Sequence, residues 1–117
     1  MSTPVLHVGT VDGSSERAGL RPEKFNRHTF WCGQSGSGKT YALGVVLEEL
    51  LLRTSLPIVI IDPNADFVRL GELRDGVDDA VVRELADRDI RVLRPSHLPG
   101  VELRARFSTM LPASKAA

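Results

Sequence analysis

The chain has 117 residues, 42% of them hydrophobic and 26% charged. That is the range of a soluble globular protein, so a largely disordered chain is excluded and the length suits one domain. Fifteen Lys and Arg balance fifteen Asp and Glu; bulk charge makes no case for a nucleic-acid partner, although a basic patch fits within a neutral total.

In chain order, residues 5–11 (VLHVGTV) are apolar and β-branched enough for one short strand. Residues 12–24 carry Gly13, Ser14, Ser15, Gly19 and Pro22 and read as a loop with at most one short helical turn. Residues 28–32 (HTFWC) read as a buried strand that stops at Gly33. The lone Cys32 excludes an internal disulfide framework and a cysteine-based zinc site. It reads as a small buried apolar residue, Trp31 as core, and His28 as a hydrogen-bonded structural histidine.

From Gly38 the period changes. Leu43, Val46, Leu47, Leu50 and Leu51 form one helical stripe, which predicts a helix of about 15 residues that Pro57 closes. Glu49 and Arg53 add a favourable i,i+4 pair. Residues 58–61 (IVII) form a continuous apolar run, the mark of a strand covered on both faces, and Asp62, Pro63 and Asn64 turn the chain. Because Glu48, Glu49 and Arg53 interrupt the apolar stretch 45–61, no membrane span is expected. Residues 1–9 lack the basic start and apolar core of a signal peptide, so a cytoplasmic protein is expected.

Residues 67–73 suggest a short helix. Asp78 and Asp79 cap and start another through Ala86, with Val81, Val82 and Leu85 inward. Residues 90–93 (IRVL) read as a third buried strand. Residues 101–107 (VELRARF) alternate as a half-exposed strand, with Arg104 and Arg106 on the solvated face. This order predicts an α/β fold, a parallel sheet with right-handed crossovers. The division expected is an N-terminal strand and loop over 1–26, a partial nucleotide-binding domain over 27–111 and a disordered tail over 112–117.

One motif is sharp. Gly33, Gln34, Ser35, Gly36, Ser37, Gly38, Lys39 and Thr40 fit G-x-x-x-x-G-K-S/T, the Walker A loop, at every fixed position. A nucleoside triphosphate concentrates anionic oxygens at one point, and a tight loop with inward main-chain N–H groups can surround them. Glycines let the backbone take the required φ and approach closely. The loop opens a helix, whose free N–H groups and dipole add positive potential. Lys39 would bridge the β- and γ-phosphates, Thr40 would ligate Mg²⁺, and Tyr41, next on the helix, completes the expected nucleotide-binding set. The bland alternative is a Gly/Ser-rich turn before a helix.

Asp62 has two readings. It stands at the end of an apolar run, where ligands bind in open α/β sheets, and could contact Mg²⁺. The simpler reading is that it caps the turn made with Pro63 and Asn64. Asp66 has the same two readings.

The stretches FNRHTFWCGQSGSGKT and LPIVIIDPNADF resemble the HerA–FtsK superfamily of hexameric P-loop ATPases, most closely its HerA-like branch. Those proteins carry a histidine shortly before the loop, here His28. After the loop helix they carry a strand ending in D-P-x-x-D/E-F/Y, here residues 62–67, usually with glycine where Ala65 stands. The resemblance implies a RecA-like ATPase core that binds ATP and Mg²⁺ and assembles as a ring pumping or unwinding double-stranded DNA. It also implies a Mg²⁺-holding aspartate with an adjacent catalytic glutamate on a later strand, a sensor and an arginine finger. No Asp-Glu pair ends an apolar run after Lys39. The expectation is therefore nucleotide binding with little turnover, from a truncated gene product or a fragment of a larger ATPase, since hydrolysis needs a positioned water and a group to orient it.

Two other functions compete. A small P-loop kinase would use Asp62, Asp66 and Arg69 around an acceptor hydroxyl, a pattern similar to adenylyl-sulfate kinases, but no arginine-rich lid is recognisable. A non-catalytic nucleotide-binding module would keep the loop and regulate a partner. The absence of an N-K-x-D guanine motif leans towards ATP.

Overall fold

A computed structural model describes residues 4–72 and 76–104. It opens with an antiparallel hairpin, β1 (Leu6–Thr10) and β2 (Arg17–Leu20). Leu6 pairs with Leu20 and His7 with Gly19, then Gly9 pairs with Ala18, so Val8 is one extra residue that bulges the strand. A 3₁₀ helix follows at Pro22–Asn26. Helix α1 (Lys39–Arg53) and helix α2 (Asp79–Ala86) come next, then β3 (Leu93–Arg94) and β4 (Val101–Glu102), which pair in parallel.

The core sits where β1 meets α1. Leu6, Val46 and Leu50 are buried together, and Val8, Leu20, Phe25 and Ile58 pack around them. Val46, Leu47 and Leu50 come from the apolar stripe read in the sequence. Burying each such side chain contributes about 1.5–3 kcal/mol. A polar tie reinforces the contact: the His7 main-chain N–H donates to Glu49 Oε2 at 2.6 Å, and Arg53 Nε donates to the same oxygen at 2.6 Å. No helix among the described residues is long and apolar enough to cross a membrane.

Several expectations need correction. The described residues form two separate two-stranded sheets, one antiparallel and one parallel, instead of one parallel sheet with crossovers. Residues 28–32 join no ladder; Phe30 is 89% exposed, Trp31 is 40% exposed and Cys32 is exposed, so none is core. His28 is exposed and makes no hydrogen bond among the described residues. Residues 58–61 also join no ladder; Ile58 touches the core, but Val59 is 90% and Ile61 92% exposed. An apolar run records that a strand could be covered. The neighbours that would cover it are a non-local matter, and here the described residues supply none.

Residues 12–24, expected as loop with at most one short helical turn, also contain β2; the start of the 3₁₀ helix supplies the turn. Residues 67–72 form two hydrogen-bonded turns, Leu70 N to Phe67 O and Glu72 N to Arg69 O, in place of a helix; Leu73 lies outside the described residues. Of the strand expected over 90–93 only Leu93 lies in a strand, β3, which runs on to Arg94. That expected over 101–107 is seen as β4, with residues 105–107 outside the described residues, Arg106 among them. Arg104 is exposed and pairs with Glu102. The tail expected over 112–117 also lies outside them. Helix α2 forms where expected, with Val81, Val82 and Leu85 half-buried.

Candidate nucleotide-phosphate loop

The two helices begin in opposite ways. At α2 the Asp78 carboxylate accepts the Ala80 N–H at 2.8 Å, and Asp79 adds a negative charge in the first turn. Both features neutralise the positive end of the helix dipole. At α1 the cap is Gly38, which offers no side-chain acceptor, and the first turn holds no acidic residue. The first N–H groups of α1 are therefore left without a side-chain acceptor, in a positive potential. That arrangement suits an external anion.

Residues 33–38 wrap in front of this helix end. Gly36 (φ 77°) and Gly38 (φ 81°) occupy the left-handed region, which a side chain would strain. The Ser37 N–H donates to Gln34 O at 3.1 Å, closing a turn within the loop. Lys39 Nζ donates to the same Gln34 carbonyl at 2.7 Å, so the lysine folds over its own loop instead of extending into solvent. Gly33 lets the loop close on its own side chains: a Cβ there would lie 2.8 Å from Ser37 Oγ and 2.9 Å from Lys39 Cγ, so these would have to shift. The indole of Trp31 donates to Lys39 O at 3.2 Å across the base of the loop. Thr40 and Tyr41 follow on the first turn of α1, both exposed.

Asp62 lies in the turn after residues 58–61. Its Oδ1 accepts the Asp66 N–H at 3.0 Å and its Oδ2 accepts the Phe67 N–H at 2.8 Å. The Asp62 carbonyl accepts from Ala65 N at 3.3 Å. Ala65 has φ 60°, a left-handed conformation that disfavours any residue with a Cβ. Asp66 itself is exposed. Among the described residues no three His, Cys, Asp or Glu side chains converge as a metal site. A groove of about 410 Å³ runs along α1 beside the loop, between Tyr41, Val45 and Leu52 on one side and Phe67, Val81 and Leu85 on the other.

The structure thus brings residues 33–41 together at one helix end. Sequence reasoning missed the indole tie of Trp31, which no spacing rule signals. It also missed Glu49 as a link to the hairpin, because i,i+4 spacing pointed only at Arg53.

No curated protein and no solved structure matches the chain. The family described as "Helicase HerA, central domain" matches residues 6–113, which takes in the hairpin, the phosphate loop, the Asp62 turn and both helices. The chain belongs to the family of HerA helicase central domains.

Proposed function

We propose that this chain binds ATP with Mg²⁺ through residues Gly33, Gln34, Ser35, Gly36, Ser37, Gly38, Lys39, Thr40 and Tyr41, as part of a HerA-type ATPase that moves or unwinds double-stranded DNA. One observation carries the binding claim. The uncapped start of α1 sits behind a loop of left-handed glycines whose lysine is already turned inward. A phosphate chain would find main-chain N–H donors, the helix dipole and a cation at one point. The donor set fits the nucleotide: Gly33 lets the Lys39 stem and Ser37 lie close against the loop, and Thr40 is exposed on the first turn, where its hydroxyl would face Mg²⁺. Bound Mg²⁺ would neutralise phosphate charge.

In this reading Asp62 anchors its turn, since both carboxylate oxygens already accept main-chain N–H groups. That assignment also weighs against the kinase alternative, which needs Asp62 free to activate an acceptor hydroxyl. Family membership supports the DNA-related role and a ring of six copies for the full-length form. Turnover by this chain alone is expected to be low, because no Asp-Glu pair ends an apolar run after Lys39 to orient an attacking water.

The test is calorimetric titration of ATP·Mg²⁺ into the chain and into Lys39→Ala. Saturable binding weakened tenfold or more by the substitution is expected. Equal affinity in both proteins would remove the phosphate-loop assignment.

A further inference from the structure

Trp31 is the chain's one tryptophan, and the residue is 40% exposed. It is not part of the buried core. Its Nε1–H instead reaches eight residues along the chain, to the carbonyl of Lys39. That bond joins the segment before the phosphate loop to the first residue after it. Residues 28–32 join no ladder among the described residues, so none of these anchors the leading edge of the loop by strand pairing.

We propose that Trp31 is a positioning residue for nucleotide: its indole N–H clasps the base of the loop and holds residues 33–38 in the closed form that receives phosphates. The inference rests on the nucleotide-binding reading above. Lys39 is the point of action. The residue whose carbonyl takes the indole N–H also sends its Nζ to Gln34 O and starts α1. Fixing its main chain fixes the lysine stem and the first helical N–H groups together. The loop needs such a restraint, because glycine-containing segments lose most freedom on closing. A clasp made before binding removes that ordering from the cost of association.

The indole N–H, not the aromatic surface, is the active feature, and Trp31→Phe separates the two. Calorimetry with ATP·Mg²⁺ on the wild type, Trp31→Phe and Lys39→Ala is read beside thermal unfolding of each. A second measurement, on the wild type alone, follows the single indole ¹H–¹⁵N resonance. Trp31→Phe is expected to weaken binding about fivefold, the worth of one ordinary hydrogen bond, with its unfolding midpoint close to wild type. The wild-type indole proton is expected to exchange slowly with solvent before nucleotide is added. Wild-type affinity in Trp31→Phe overturns the clasp and leaves the phosphate-loop reading standing. Solvent-limited exchange of the indole proton also overturns it, whatever the variant does. A wild type that binds no better than Lys39→Ala overturns both.

Discussion

The main-chain N–H of His7 donates to Glu49 Oε2 at 2.6 Å across 42 residues of sequence, and this is the polar link between the hairpin and α1. Arg53 holds the same oxygen from one turn further along the helix. The Glu49 side chain is only 16% exposed, so its partners are difficult for water to replace. Glu49→Ala would leave the part-buried His7 N–H without an acceptor, at a cost of about 1–3 kcal/mol. Glu49→Gln keeps an acceptor oxygen and should lose less. Urea unfolding of the two variants checks the order; equal losses would mean that the carboxylate charge, not the acceptor, is what matters.

Ala65 explains a departure from the family pattern. The left-handed φ of 60° at this position is the conformation that glycine takes without penalty. Asp62 enforces it by gripping the N–H groups of Asp66 and Phe67 on the far side. Ala65→Gly should relieve roughly 1 kcal/mol of steric strain, offset in part by the greater freedom of glycine in the unfolded chain. A small rise in the unfolding midpoint is expected. A fall of several degrees would show that Ala65 makes a packing contact worth more than its strain.

What the sequence makes legible follows the range of the forces involved. Helix α1 is readable because its stripe and its loop are local, and Val46 and Leu50 are buried as the period requires. Helix α2 is readable because Asp78 caps it within two residues. The turn at Asp62 is readable as turn chemistry. By contrast, β2 is hidden in a Gly/Ser-rich stretch and exists through pairing with β1, a partner that composition does not reveal. Residues 58–61 fail in the other direction: β-branched residues mark a strand-forming segment, but ladders need a neighbour. The candidate site divides the same way. Its glycines, lysine and threonine show as a motif because their spacing is local. The hydrogen bond of Trp31 to Lys39 O is not coded by any spacing, and any aromatic core residue would look the same in the sequence.

Arg91 grips Asp89 with two bonds, Nε to Oδ1 at 2.9 Å and one terminal nitrogen to Oδ2 at 2.6 Å. These bonds, with the guanidinium charge, hold the Asp89 carboxyl below the usual aspartate range, against a smaller opposing push from desolvation. A carboxylate depressed in the folded state favours folding above its ordinary pKa and loses that benefit as pH falls through the lowered value. The pair is solvent-exposed, so its effect on stability is small. The clear readout is local: in a carboxyl-carbon NMR titration Asp89 should protonate below the ordinary aspartate value. Arg91→Gln should return it towards that ordinary value. An unchanged titration in that variant would mean the ion pair does not persist in solution.

Val59 and Ile61, two residues apart, leave about nine-tenths of their surface in water beside the core contact of Ile58. Apolar β-branched residues that no described strand pairs form a template for other strands, and charge is the usual device that blocks it. The isolated chain should therefore associate as its concentration rises and bind an apolar dye. Val59→Lys combined with Ile61→Lys should suppress both, because two like charges on the segment oppose stacking of copies. Both side chains are exposed, so the double variant should keep its α1 core and unfold within about 0.5 kcal/mol of the wild type. Sedimentation velocity across a concentration series, read beside urea unfolding, makes the comparison. A monomeric wild type at every concentration would sink the prediction. So would a double variant that unfolds much more readily, since the two side chains would then be buried in solution.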